Sequence, residues 1–214
     1  MPDIFNSFIT FITNLPLLEL VAMLLALAYV VLAAIGSIWC WPAAFISTIL
    51  YTYIFYDVLL LMDSALNIYY MFMAVYGYWV WQKNISANSH KKNKTINIVS
   101  WHYSFHIKAC TILSLLSLVL GYVMANFTPA DFPYLDTFTT VFAVFATYLV
   151  AKKVLENWLY WVVIDVISIY LYIEKGLIPT VVLFTFNVAI ALWGYISWRN
   201  KYFGRNELIQ KVQS

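Results

Sequence analysis

Seven runs of mainly apolar residues, each about as long as a lipid bilayer is thick, dominate this sequence. They lie near residues 17–35, 38–56, 58–82, 106–125, 134–150, 157–173 and 176–198. A membrane-spanning α-helix needs roughly 20 such residues, since its backbone polar groups must be satisfied within the helix. Only 10% of the 214 residues are charged, which is too few to cover a water-soluble surface. The sequence therefore predicts an all-α polytopic membrane protein with seven transmembrane helices.

The basic residues predict how these helices are oriented. Seven spans place eleven of the twelve Lys and Arg residues on one side of the membrane and only Lys175 on the other. By the positive-inside rule, the N-terminus lies outside and the C-terminus lies in the cytoplasm. The net charge of +2 is too small and too scattered to suggest a nucleic-acid partner.

A weak internal repeat relates the first three spans to the last three. The matching motifs are Tyr29 with Trp39 against Tyr148 with Trp158, at an offset of 119, and Tyr76-Gly77-Tyr78 with Trp81 against Trp193-Gly194-Tyr195 with Trp198, at an offset of 117. A three-helix unit reverses direction when duplicated, so the fourth span serves as a linker that restores parallel orientation. The expected divisions are an N-terminal interfacial segment 1–16, a first three-helix bundle 17–82, a cytoplasmic linker 83–105, a linker helix 106–125, a second three-helix bundle 134–198 and a cytoplasmic tail 199–214.

One carboxylate in the sixth span is the leading candidate for a binding residue. Charged groups are costly inside a membrane, so each needs a reason. Trp158, Trp161 and Asp165 follow an i, i+3, i+7 spacing, which places two indoles and an anion on one helical face. This combination suits a flat cationic ligand. The alternative is a structural Asp bonded to a neighbouring helix, but the offset of 119 pairs it with Ile46, and an architectural Asp would be expected in both halves.

Other polar residues within the spans extend this candidate site. Asn67 and Tyr70 share a face of the third span with Asp63, which is nearer the outer end, and Asn187 interrupts the seventh span. Their side chains predict hydrogen bonds either to a ligand or to a neighbouring helix.

The sequence predicts no cofactor, no metal site and no enzymatic activity. His102 and His106 have a spacing that would fit a metal, but no third ligand is near, so they are interpreted as interfacial residues. No nucleotide-binding loop or nucleophile motif occurs, which argues against an ATP-driven pump or a hydrolase.

The chain resembles the Pnu family of bacterial vitamin transporters. The resemblance rests on Ile38-Trp39-Cys40-Trp41-Pro42, on Tyr76-Gly77-Tyr78-Trp79 and above all on the Trp-x-x-Trp-x-x-x-Asp motif of residues 158–165. It implies a location in the bacterial inner membrane and two parallel three-helix bundles around a linker helix, similar to the sugar-transporting SWEET architecture. It also implies facilitated diffusion without ATP, with the substrate trapped by phosphorylation inside the cell.

The resemblance leaves the substrate open between thiamine and nicotinamide riboside. Asp165 stands where riboside carriers often have Asn, Asn67 where a Gln is common and Ala74 where an Asn is common. A carboxylate facing an aminopyrimidine suits thiamine, so the sequence favours thiamine, with nicotinamide riboside as the alternative and a non-transporting membrane receptor as a remote one. The expected partners are the small-molecule vitamin and the lipid bilayer, and a homo-oligomer is left open.

Overall fold

The computed structural model describes residues 16–57, 61–87, 97–128 and 131–213, and within these ranges the chain is helical apart from its loops. The described helices are α1 (Leu17–Ala34), α2 (Cys40–Asp57), α3 (Leu61–Ala87), α4 (Tyr103–Phe127), α5 (Pro133–Ala151), α6 (Asn157–Glu174) and α7 (Ile178–Gln213). The predicted all-α architecture of seven helices is confirmed. Residues 1–15 of the proposed N-terminal interfacial segment and residues 88–96 of the proposed linker lie outside the described residues.

Several helices continue past the ends of their apolar runs. α3 reaches Ala87, beyond the expected limit of residue 82, and α7 continues to Gln213, although its apolar run ends near residue 198. With 36 residues, α7 is roughly 54 Å long, well beyond the ~30 Å of a bilayer core. An apolar run ends at the membrane surface, but a helix continues wherever Lys, Arg, Gln and Glu keep favouring it.

Six of the helices form a closed ring. α1 packs against α2, α2 against α3, α3 against α5, α5 against α6, α6 against α7, and α7 returns to α1. α4 lies outside the ring and packs on α5. We call α1–α3 the first half and α5–α7 the second half. The contact of α1 with α7 and that of α3 with α5 are equivalent, as expected for two parallel copies related by a twofold axis.

Within the described ranges, four helical segments are long and apolar enough to cross a membrane, judged by length and composition. They are Leu17–Ala34, Tyr103–Phe127, Pro133–Ala151 and Thr180–Gly204. The other three helices, α2, α3 and α6, have spanning length but carry more polar residues. These helices hold Thr48, Asn67 and Asp165, which line internal cavities, so their polar groups need not face lipid.

The loops between paired helices repeat at a single offset of 117. In the α1–α2 loop, Gly36 has a φ of 74°, and in the α5–α6 loop, Lys153 has a φ of 60°. The N–H of Gly36 donates to the oxygen of Ala33 at 2.9 Å, and the N–H of Lys153 donates to that of Val150 at 2.9 Å. The offset of 119 inferred from the Tyr–Trp spacings is therefore wrong, and no insertion or deletion is needed between the motifs.

The α5–α6 loop has an additional covering segment. The N–H of Val99 donates to the oxygen of Lys153 at 3.0 Å, and the N–H of Leu155 donates back to that of Val99 at 2.8 Å. Next to it, the Ser100 hydroxyl donates to the Glu156 carboxylate. The α1–α2 loop and the α5–α6 loop lie at the same end of the ring, together with Lys152, Lys153 and Lys201. We call this end of the ring the basic end.

Candidate functional site

Two adjacent cavities lie inside the helical ring. The first cavity, about 220 Å³, is lined by residues of α1, α2 and α3 together with Thr147 and Trp161. The second cavity, about 210 Å³, is lined by residues of α6 and α7 together with Tyr29, Val30, Ala33 and Val150. Tyr29 and Trp161 line both cavities and therefore stand at the border between them. The two spaces together reach the size of a small-molecule binding site, about 300–1,000 Å³.

The two cavities are counterparts in the repeat. Six residues of the first cavity match six residues of the second at the offset of 117 that the loops define. The pairs are Trp41 with Trp158, Ala44 with Trp161, Thr48 with Asp165, Asn67 with Phe184, Tyr70 with Asn187 and Ala74 with Ala191. Each half of the protein thus builds one cavity from the same backbone positions. The side chains differ, and they give the second cavity a carboxylate that the lining of the first cavity lacks.

Asp165 is buried in the second cavity, with 5% of its surface exposed. Among the described residues, no side chain or backbone group forms a hydrogen bond or an ion pair with its carboxylate. The interpretation as a structural Asp requires such a bond to a neighbouring helix, and the described part of the chain offers none. An ionised carboxylate without a partner is unfavourable in such a place, which favours a site for a cationic ligand.

The repeat partner of Asp165 is Thr48, not Ile46 as the offset of 119 suggested. The Thr48 hydroxyl donates within its own helix and lies 2.9 Å from the Ala44 oxygen and 3.0 Å from the Phe45 oxygen. Position 48 is therefore polar but satisfied locally, whereas its counterpart is a carboxyl group. The lining of the first cavity contains no carboxyl group, and that of the second contains one.

The two indoles of the motif differ in their surroundings. Trp158 is 2% exposed, and its ring lies over Gly194 and meets Trp198 edge-on, with 5.5 Å between ring centroids. Trp161 is half-buried and lines both cavities. Trp161 can therefore stack on a ligand in either space, while Trp158 forms part of a packed wall.

The remaining predicted site residues also line the cavities. Asn67 and Tyr70 line the first cavity. The Asn67 Nδ2 donates a hydrogen bond to the backbone carbonyl oxygen of Asp63 at 2.9 Å. Asn187 lines the second cavity. Asp63 is exposed at the start of α3 and is not among the residues lining either cavity. Whether the six predicted residues bind a ligand stays a prediction.

Sequence inspection missed several residues of this region. Tyr29 stands between the cavities, Trp41 and Thr48 line the first, and Phe184 lines the second. Applying the correct offset of 117 to the motif of residues 158–165 would have identified Trp41 and Thr48. Tyr29 has no such signal, because its repeat position is Ala146.

The two histidines considered as metal ligands have other partners. His106 Nδ1 lies 3.0 Å from the Tyr160 hydroxyl, and its Nε2 lies 3.6 Å from the Glu156 carboxylate. His102 accepts a hydrogen bond from the Ser104 N–H at the start of α4. Within the part of the chain that the structure describes, no group of three or more His, Cys, Asp or Glu residues could hold a metal ion.

Comparison with known proteins places these features in context. Residues 16–200 match the profile of a protein family described as Nicotinamide mononucleotide transporter. The chain is 24% identical over 208 residues to the nicotinamide riboside transporter PnuC of Escherichia coli K12, with 87% of each chain covered. It is 22% identical over 193 residues to the riboflavin/roseoflavin transporter RibM of Streptomyces davaonensis, covering 90% of this chain and 89% of the relative.

A solved structure shares the fold. The crystal structure of the vitamin B3 transporter PnuC aligns with a TM-score of 0.68 and 20% sequence identity, over 93% of this chain and 88% of that one. The likeness in three dimensions extends over nearly the whole helical ring and its external helix.

Proposed function

Because the chain belongs to the nicotinamide mononucleotide transporter family, we propose that it carries nicotinamide riboside across the bacterial inner membrane and is not an enzyme. Transport is by facilitated diffusion without ATP, and phosphorylation inside the cell traps the substrate. The substrate occupies the two adjacent cavities, with its pyridinium ring in the second. The N-terminus is outside and the C-terminus is in the cytoplasm, as the basic residues indicate.

The observation that supports a cationic substrate is the buried carboxylate of Asp165, for which the described part of the chain provides no partner. A fixed positive charge on a flat ring would neutralise this carboxylate while the Trp161 indole stacks on the ring face. Such a cation carries no proton to lose, so only the Asp165 carboxyl can change the charge of this pair when the pH changes. Asn187, in the same cavity, can bond to a carboxamide.

The choice of nicotinamide riboside over thiamine rests on the relatives. A transporter named for the riboside aligns over 87% of both chains, and the solved structure that shares the fold is named for vitamin B3. The preference for thiamine came from Asp165 in place of the usual Asn, but a carboxylate also suits a pyridinium cation. The first cavity adds the Tyr70 hydroxyl and the Asn67 amide, which match the hydroxyls of a ribose.

Thiamine remains the second candidate because its aminopyrimidine can donate hydrogen bonds to the Asp165 carboxylate. Calorimetry on the purified protein with the riboside, thiamine and riboflavin ranks the candidates directly. Tight binding of thiamine with no binding of the riboside would reverse the assignment. Counterflow of labelled substrate in proteoliposomes without nucleotide then separates a facilitator from a receptor, since a receptor gives no exchange.

Asp165→Asn tests the role of the charge. The reduced, uncharged dihydro form of nicotinamide riboside has nearly the same shape as the cation, so the ratio of the two affinities isolates the electrostatic contribution. We expect the wild-type protein to prefer the cation and Asp165→Asn to lose roughly 1.5–3 kcal/mol of that preference, the scale of a hydrogen bond to a charged group. Thr48→Val, at the equivalent position of the neutral cavity, is the matched control and should leave the ratio unchanged.

A further inference from the structure

Two indole–carbonyl hydrogen bonds join the halves at the basic end. The Trp81 Nε1–H donates from α3 to the Ala151 oxygen of α5 at 3.2 Å. The Trp198 Nε1–H donates from α7 to the Ala33 oxygen of α1 at 3.0 Å. Both acceptors are in the last turn of a helix, where carbonyls lack an intrahelical donor. The two donors are counterparts in the repeat, the two acceptors differ by one position, and each bond crosses from one half to the other.

These indoles belong to a continuous wall of four tryptophans. Trp81 and Trp198 have ring centroids 6.1 Å apart, Trp41 meets Trp81 edge-on at 5.4 Å, and Trp158 meets Trp198 edge-on at 5.5 Å. All four are at most 2% exposed. Trp41 lines the first cavity and Trp158 lines the second. The Trp wall therefore separates both cavities from the basic end.

Lys153 breaks the symmetry of this arrangement. It is 1% exposed, and its ammonium lies 5.1 Å from the centre of the Trp81 ring. None of the described residues forms a hydrogen bond with the Lys153 Nζ. The equivalent position in the first half is Gly36, and both residues have a left-handed backbone. A lysine at such a φ costs about 1–2 kcal/mol, so this half of the protein bears strain and an unpaired buried charge where the other half bears neither.

We propose that the Trp wall is the gate between the cavities and the basic end, and that Lys153 biases this gate towards opening. Opening requires the halves to separate, which breaks both indole–carbonyl bonds. It also releases Lys153 from Trp81 into water, where its ammonium is fully hydrated. The four indoles stabilise the closed state, and the buried charge of Lys153 limits that stability, so that the gate can still open. The role of the Trp wall as a gate for transport rests on the proposed function, whereas the opening and closing of the wall do not depend on that function.

The surroundings of Lys153 determine how pH acts on the gate. Burial lowers the pKa of Lys153 to about 8, and the nearby Cys40 thiol is the one titratable group of the described chain that opposes this. The neighbouring Lys152 lies over the rings of Tyr76 and Tyr148 instead. In an open gate the pKa returns to its ordinary value near 10.5. The closed state therefore binds fewer protons, so closing is favoured as the pH rises from about 8 to about 10.5, and below this range the full cost of the charge disfavours closing.

Cys40 provides a readout that needs no substrate. It is the first residue of α2, next to Trp41, and is fully buried in the closed wall. In a Cys110→Ser background, the rate at which a small maleimide labels Cys40 at fixed neutral pH reports how often the gate opens. We expect Lys153→Met, which keeps the length but removes the charge, to label at least about tenfold more slowly, the equivalent of one pKa unit. Lys152→Met is the matched control and should label at the original rate.

Two further variants keep the test decisive. Lys153→Gly copies the first half and removes both the charge and the strain, so it should label at least as slowly as Lys153→Met and provides the test if that variant folds poorly. Trp81→Phe removes one bond between the halves and should speed labelling several-fold, whereas Trp101→Phe, outside the wall, should not. Labelling of both Lys153 variants at the rate of the original chain would overturn the proposal. A failure of the substrate screen would leave these rates unaffected, so the two hypotheses fail separately.

Discussion

Gly77→Ala should destabilise the protein through a single added methyl group. A Cβ at residue 77 would lie 2.3 Å from Cη2 and Cζ2 of Trp41, far inside the ordinary contact distance of 3.4–4 Å. The indole would have to move by roughly 1 Å, but it is 1% exposed and packed between Tyr29 and Trp81. Overpacking of this kind costs about 1–3 kcal/mol, and we expect the upper part of that range.

The repeat provides a graded comparison and a control. At the equivalent position, a Cβ on Gly194 would lie 2.8 Å from the Trp158 ring, so Gly194→Ala needs a smaller shift and should cost less, about 1–2 kcal/mol. At Gly204, also within α7, a Cβ meets nothing within 4 Å. Gly204→Ala should therefore be neutral or gain up to about 1 kcal/mol from helix propensity.

Thermal unfolding of the detergent-purified variants measures this order directly. Gly77→Ala should have the lowest midpoint, Gly194→Ala an intermediate one, and Gly204→Ala a midpoint at or above that of the original chain. Trp41→Phe gives the added methyl room, so the double variant should lose less stability than the sum of the two single changes. If Gly77→Ala matched Gly204→Ala in stability, the close contact between Gly77 and Trp41, and with it the packed Trp wall, would be refuted.

Two other predictions concern the site and the topology. Trp161→Ala should weaken riboside binding, measured by calorimetry, by roughly 1–2 kcal/mol, the scale of a desolvated cation–π contact. Trp193→Ala, on an exposed face of α7, should leave binding unchanged. Equal losses in both variants would show that Trp161 does not belong to the site. A reporter fused after Ser214 should be cytoplasmic and a tag before Met1 external, and the reverse result would contradict the orientation predicted from the basic residues.

Much of the fold could be predicted because bilayer thickness sets a length that the sequence must satisfy. Each apolar run of about 20 residues became one helix, and seven runs gave seven helices. The candidate ligand residues could be recognised for a related reason. Asp165, Asn67 and Asn187 interrupt runs in which polar groups are costly, so each stood out without knowledge of its neighbours.

The sequence by itself therefore determined the features that depend only on a residue and its position along one helix. These are the number of spans, the polar residues that interrupt them and the helical face shared by Trp158, Trp161 and Asp165. The register between the halves was decided only by tertiary structure, because aromatic pairs recur by chance, whereas the left-handed residues Gly36 and Lys153 mark equivalent loops. The burial of Lys153 was decided there too. In sequence it is one of several basic residues near a membrane surface, and only the packing of Trp81 against the α5–α6 loop removes it from water.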